Sequence, residues 1–505
     1  MQPFGSLAAE DELSILKNLY LVNLSDKRHE LALFPHHRII LGRRGSGKTA
    51  LAEYLRFQKV KPYDAYVTID YTPTLGIILR EVDEHLSRQR IPFADDVVRL
   101  WLLAFWTSLM TELVRAGHLN SSAVRTYLAT ASPITMVGRR HGALDGLAAA
   151  IRTEQRSLLD WDHLRRRLDE SAYPAAVDDT KQCLTQLHRV AIAVDSIDAL
   201  PIQSAAMIAV ATALLTAANR SASELHEHLH LKCFVPSEVW AYLAARMPDV
   251  GKFQPLEIRW SPDDLLRLAC FRYNNFLAEE DFHGAVAPSS VTWASATDVR
   301  EKVWKRFFPS NAQGPSGLLE DVETLILRHT QLRPRQLILV CNAIAGKSAL
   351  RKFNPDHVRD GLESVDVLAT EVFASYSSIC PGAEVMLGRH LRNRPAVFDS
   401  KEIAATDECW DVAYELGVAG PVTHAARPFK DSRLEYHNAE FDFSGTRLSR
   451  WRPNRERVAI HPMFHKRFGI KEDAHTMVGL RSRRDDHGLI EPSLDSAAST
   501  KSFGE

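Results

Sequence analysis

The residues Gly42 to Thr49, GRRGSGKT, have the types and spacing of a loop that holds phosphate, G-x-x-x-x-G-K-[ST]. Gly42, Gly45 and Gly47 carry no Cβ, so the backbone can bend until successive N–H groups converge on phosphate oxygens. Arg43, Arg44 and Ser46 fill the variable positions, and Ala50 follows, so their amides belong to the same cradle. A helix beginning near Gly47 would aim its positive N-terminal end at the same anion. Lys48 is expected to reach the β- and γ-phosphates as a catalytic cation, and the Thr49 hydroxyl to ligate Mg²⁺. The flanks suit the motif: RIIL (Arg38 to Leu41) reads as a buried strand and ALAEYLRFQ (Ala50 to Gln58) as a helix.

A second group of polar residues lies in RVAIAVDSIDALP, Arg189 to Pro201. The apolar run Val190 to Val194 predicts a strand buried on both faces, as in a parallel sheet. It ends in Asp195, a carboxylate at the strand tip beside the phosphate loop, placed to hold Mg²⁺ through water. Ligands bind at this edge of an open α/β sheet. Ser196 follows, where many nucleotide hydrolases carry a water-activating acid. Asp198 is the candidate base in its stead, or else an N-cap for the helix beginning near Ile202; slow or absent hydrolysis is the consequence expected of Ser196. In HLKCFVPSEVW, Ser237 and Glu238 are candidates to sense a γ-phosphate, weakened by Pro236, which ends the strand ladder. Arg333 and Arg335 flank Pro334 at the start of a helix, where the dipole disfavours cations, so an anion such as phosphate is the expected partner; a surface salt bridge is the alternative. Asp70, Arg139–Arg140 and Arg165–Arg167 read as a strand-end cap and solvated faces, with a trans-acting arginine as the alternative for the arginines.

These residues need elements to position them. Residues 1–255 are read as the phosphate-binding domain, opening with a helix over Ala9 to Asn23 and a second strand at Ala65 to Tyr71. Within it, residues 75–188 form a large helical insertion whose tryptophans belong to its core. Residues 256–394 are read as a helical lid that begins with Ser261 as N-cap, Pro262 at the first position and Asp263 and Asp264 in the first turn. Residues 395–470 give helix, turn, helix and strands, a winged-helix-like pattern with locally basic loops, and residues 471–505 read as a disordered tail. The fold class is therefore α/β: a parallel-sheet P-loop core with a helical insertion, a helical lid and a C-terminal winged-helix-like domain.

Composition narrows the setting. With 62 basic and 63 acidic residues the net charge is −1, so no global field draws the chain to nucleic acid or membrane. The six cysteines form no C-x-x-C pair, so they are expected to be buried thiols in a reducing cytoplasm. The N-terminus lacks the basic start and apolar core of a signal peptide. The apolar run Leu100 to Met110 is too short to span a bilayer and reads as a buried helix.

In order along the chain, FG…AAEDE, GRRGSGKTAL, the strand ending DSID, RWSPDDL, RPRQLI and IHPMF resemble prokaryotic P-loop ATPases near the STAND, KAP and AAA+ groups, over most of residues 4–470. The resemblance implies ATP and Mg²⁺ as ligands, Arg333 or Arg335 in the role of a lid arginine that meets the γ-phosphate, and a nucleotide-controlled switch. It further implies a homo-oligomer or an effector protein as partner, a role in antiviral defence, and no membrane. Ser196 and Pro236 depart from the pattern and put fast turnover in doubt. The competing expectations are a DNA-dependent ATPase that binds DNA through the winged helix, and a scaffold with a relic site.

Overall fold

The computed structural model describes residues 2–12, 34–57, 62–70, 94–131, 172–195, 205–224, 227–244, 253–280, 285–348, 352–423 apart from 378, 435–441, 456–472 and 477–482, with a few short pieces. They form two compact units. The sheet unit joins Arg28–Gly42 to Lys48–Ile258; the larger unit joins Met1–Lys27, Arg43–Gly47 and Arg259–Glu505.

The sheet unit is built on strands β1 (Ile39–Gly42), β2 (Ala65–Asp70), β3 (Val190–Asp195), β4 (Leu229–Pro236) and β5 (Leu256–Glu257). All pair in parallel, in the order β2-β3-β4-β1-β5. β1, β3 and β4 are buried along their whole length, as unbroken apolar runs require. Here the structure refines the expectation that Asp195 lies directly beside the phosphate loop: β4 takes the central slot between β1 and β3. β4 can do so although it carries Lys232, because the wholly buried ammonium donates to the carbonyls of Phe34 and His37, the latter at 2.8 Å. Burial pushes that amine down to about 7, assisted by the nearby cations Arg189 and Arg38.

Helices α1 (Lys48–Phe57), α2 (Ala94–Arg115), α3 (Ser122–Ala131), α4 (Ala172–Leu184), α5 (Ala205–Glu224) and α6 (Ser237–Ala244) complete this unit. The stretch Val97–Arg115 of α2 is long and apolar enough to cross a membrane, but 71% of it is buried inside the protein. Trp101 there donates from its indole nitrogen to Val210 O of α5 at 2.9 Å. Thr107 and Tyr127 join α2 to α3 through their hydroxyls, 2.7 Å apart. The rest of the insertion, including Arg139, Arg140 and Arg165–Arg167, lies outside the described residues.

The larger unit runs through α7 (Pro262–Glu279), a helix over 296–307 with a π-helical turn (α8), the hairpin β6 (Asn311–Gln313) and β7 (Leu319–Asp321), α9 (Val322–Arg328), α10 (Pro334–Ala345), α11 (Pro355–Leu362), α12 (Val365–Tyr376) and α13 (Ala383–Leu391). It continues with β8 (Val397–Asp399), α14 (Asp407–Glu415), β9 (Ala419–Pro421), β10 (Arg427–Pro428), β11 (Glu435–Phe441), β12 (Arg457–Ile460), α15 (His465–Phe468), β13 (Met477–Ser482) and β14 (Leu489–Ile490). α7 starts as its sequence demands: Ser261 Oγ accepts from Asp264 N at 3.1 Å, with Pro262 in the first turn.

Five expectations change. Residues 1–27 group with 259–505, not with the sheet, because Phe4 is fully buried and stacks on Tyr273 at 4.8 Å, with Phe308 and Phe353 around it. The helix expected over Ala9 to Asn23 begins as a 3₁₀ turn, Ala9–Glu12, and its continuation lies outside the described residues. The lid and the C-terminal region share one hydrophobic core, from Phe4 to Leu480, instead of forming separate cores. The stretch read as helix, turn, helix opens with a strand, β8, and a 3₁₀ turn, Ser400–Glu402, capped by Asp399, before α14. β8, β12 and β9 then form an antiparallel sheet in that order. Finally, part of the supposed tail is structured: β13 pairs in parallel with β11, and Val478 and Leu480 are fully buried. The charged run RSRRDD that follows masked this apolar segment.

Candidate functional site

β1 delivers the loop and α1 receives it. Gly45 and Gly47 have φ of 81° and 91°, the left-handed region where a side chain is strained, and Ser46 N donates to Arg43 O at 3.0 Å. Lys48, the first residue of α1, is buried, and its ammonium donates to Gly42 O at 2.9 Å. Thr49 and Ala50 follow, half-buried. Because the sheet is parallel, the C-terminal ends of β1, β3 and β4 share the edge from which the loop emerges. Asp195 is buried at the end of β3, in register with Asp70 at the end of β2. Ser196 and Asp198 lie outside the described residues.

At the tip of β4, Pro236 pairs with Gly42. Ser237 and Glu238 then open α6 and are buried, at 0% and 7% exposure. Ser237 Oγ, Glu238 Oε2 and, in the loop, Ser46 Oγ are buried without a hydrogen-bond partner. Buried polar atoms are rarely left unpaired, so the adjacent Ser237 and Glu238, at the edge of the sheet unit, fit a polar ligand there. Among the described residues no group of three or more His, Cys, Asp or Glu side chains could form a metal cluster.

In a loop whose amides converge on one side, the carbonyls splay to the other. Within the larger unit, which includes Arg43–Gly47, donors cover these carbonyls. Arg335 N reaches Gly45 O at 3.2 Å, Arg333 Nη1 reaches Arg44 O at 3.3 Å, and Trp260 Nε1 reaches Ser46 O at 2.8 Å. Arg43 donates from Nη2 to Glu415 O at the end of α14. Arg333 also donates to Gln331 Oε1, and Arg335 donates to Leu7 O at 3.0 Å and pairs with Glu371 at 3.0 Å. Both arginines thus lie at the loop, on its carbonyl side. A Cβ on Gly45 would stand 2.9 Å from Arg335 Cβ.

Sequence reasoning had no role for Trp260, Leu7 or Glu415. The one available signal was the tryptophan directly before the helix-start motif SPDD.

The corner that carries Arg333 and Arg335 is anchored from below. Arg328, wholly buried at the end of α9, makes two hydrogen bonds to Glu320, both 2.8 Å, and two to Glu472, 2.9 and 2.8 Å. From there the chain passes Leu332, held at φ 54°, into α10. Three buried histidines, His329, His461 and His465, surround the cluster, and burial keeps all three below the usual imidazole range, His329 at about 3.

No protein-family model and no curated protein matches the chain. Among solved structures, a Walker-type ATPase of Pyrococcus abyssi aligns at 11% identity over 74% of this chain and 83% of that one, with a TM-score of 0.32. A likeness that faint carries no argument, so the reading rests on the chain's own geometry. That geometry is a mixed α/β core with a five-stranded parallel sheet and a P-loop leaving its fourth-placed strand.

Proposed function

We propose that this chain binds ATP with Mg²⁺ and hydrolyses it slowly, as a molecular switch. The observation that carries this reading is the phosphate loop itself: a G-x-x-x-x-G-K-T loop between β1 and α1, with buried unpaired polar atoms and Asp195 at the same sheet edge. The loop amides and Lys48 would hold the β- and γ-phosphates, and Thr49 and Asp195 the metal. Bound Mg²⁺ supplies charge neutralisation on the phosphates. Arg333, Arg335 and Trp260 grip the loop's carbonyls, and the Arg43 side chain donates outward from the loop to Glu415 O. A nucleotide that reshapes the loop therefore acts on all four contacts, which is how occupancy would reach the lid helices and α14. We read the β8-β12-β9 sheet with α13 and α14 as a winged-helix-like reporter of nucleotide state, coupled to a homo-oligomer or an effector protein in the cytoplasm.

Titration with a fluorescent ATP analogue tests the first step. Lys48→Ala should lose binding, and a Lys48→Ala protein that binds ATP normally would falsify the reading. Light scattering with a non-hydrolysable analogue tests the second, by a change in particle size. Antiviral defence is the biological setting we infer from the order of the motifs; neighbouring genes that encode no effector would count against it.

A DNA-dependent ATPase is the second reading. It is favoured by a cavity of about 420 Å³ lined by Arg389, Arg392 and Arg467. Arg389 and Arg392 are exposed and extend from the end of α13, although Arg467 is paired with Glu384 and Asp366. DNA affinity that falls steeply with salt would support it, and ATPase activity indifferent to DNA would remove it.

A further inference from the structure

We propose that Glu238 is the carboxylate that activates water in this site, a role that rests on the reading of the loop as an ATP site. Nothing in the usual place supplies such a group, since Ser196 follows Asp195. β4 lies between β1 and β3, so its C-terminal tip has the root of the phosphate loop on one side and Asp195 on the other. Pro236, paired with Gly42, has no N–H to extend the ladder, and the chain turns there into α6. The proline that weakens this segment as a strand is what brings Ser237 and Glu238 to the sheet edge.

A carboxylate in the first turn of a helix can simply complement the helix dipole. Such a group works in solvent or bonded to the helix amides. Glu238 is only 7% exposed, and its Oε2 has no hydrogen-bond partner. Its neighbour Ser237 is fully buried with an equally unpartnered Oγ. Two adjacent buried side chains with unpaired polar atoms, next to the strand end at Gly42 from which the phosphate loop leaves, are placed for a ligand and its attacking water.

In the step this assigns, a water oxygen bonds to the γ-phosphorus while the bond from that phosphorus to the β–γ bridging oxygen breaks. Glu238 takes the water's proton and releases it to the departing phosphate or to solvent. The products are ADP and inorganic phosphate.

The test compares full-length wild type, Glu238→Gln and Asp198→Asn in phosphate release, fluorescent-ATP affinity and melting temperature without nucleotide. Glu238→Gln should lose turnover by about 100-fold or more. Its ATP affinity should stay within about threefold of wild type, because the base is not a binding group. Its melting temperature should hold or rise by about 2–4 °C, since Oε2 makes no hydrogen bond that the substitution would break. Asp198→Asn should keep turnover. The assignment is overturned if Glu238→Gln turns over within about fivefold of wild type. It is overturned equally if that variant loses ATP binding or melts lower, which marks a structural carboxylate, or if Asp198→Asn alone abolishes turnover. A wild type that fails to bind ATP refutes the proposed function itself; one that binds without hydrolysing refutes the hydrolysis and this assignment together.

Discussion

Replacing Arg328 with methionine keeps a long unbranched side chain and removes the charge. In the wild type the guanidinium is fully buried and holds both Glu320 and Glu472 through four hydrogen bonds of 2.8–2.9 Å. Burial opposes its charge, but the two carboxylates more than offset this and hold it above the usual arginine range. Removing one partner of a buried ion pair costs about 3–5 kcal/mol, because the remaining charge is left without compensation. Here two carboxylates are stranded, so the upper end, about 5 kcal/mol, is expected near pH 8. For a unit of this size that lowers the melting temperature by roughly 10 °C.

The pH dependence of this loss has a defined sign. Stranded carboxylates have folded-state pKa values above their unfolded ones, so the variant's stability is present at low pH and lost as pH rises. His329, His461 and His465, freed from the arginine's repulsion, would also charge more readily and help at low pH. The deficit of Arg328→Met should therefore shrink between pH 8 and pH 5. Urea denaturation of wild type and variant at both pH values measures it. A deficit below about 1 kcal/mol at pH 8, or one that grows toward pH 5, refutes the account of this cluster.

Three further outcomes follow from particular contacts. Phe4→Ala, which empties a fully buried site stacked on Tyr273, should destabilise the larger unit by about 3–5 kcal/mol in chemical denaturation. Gly45→Ala places a side chain at φ 81° and 2.9 Å from Arg335 Cβ; calorimetric titration should show weaker ATP binding, by about tenfold for 1–2 kcal/mol of loop strain. Lys232 has a folded-state pKa of about 7, below its unfolded value, so between pH 7 and 10.5 the folded chain is neutral there while the unfolded chain holds a proton. Stability of the sheet unit should accordingly rise with pH through that window. From pH 7.5 to 9.5, wild type should gain about 2 kcal/mol over Lys232→Met in urea midpoints, and parallel curves would refute it.

The sequence was most informative where local rules decide. The phosphate loop, the apolar strand ending in Asp195, the Ser261 cap and the placement of Pro334 all depend on residues within a few positions of one another. It was least informative where partners are distant. The place of β4 between β1 and β3 is a tertiary choice that no single strand announces. Phe4 is one aromatic without periodicity, and its burial depends on Tyr273, Phe308 and Phe353. Arg328 and Glu472 are 144 positions apart, and charged residues in helical patterns read as surface until their pairing is seen. Asp195 was recognisable as a strand-tip carboxylate, whereas Pro236 weakened Glu238 as a candidate.

The docking of residues 3–12 has a consequence for how the chain is made. Phe4 N donates to Asn342 Oδ1 at 2.9 Å, across 338 positions, and Asn342 Nδ2 returns a bond to Gly5 O. At the usual pace of synthesis, about 5–20 residues per second, roughly 20–70 s separate the two partners on the ribosome. During that interval the whole sheet unit emerges and can fold, while Phe4 has no Asn342, Phe308 or Phe353 to meet. The clasp that completes the larger unit, and with it the Arg335–Leu7 bond next to the phosphate loop, can therefore form only late in synthesis. A nascent chain would thus carry its phosphate loop for many seconds before the groups that grip it exist.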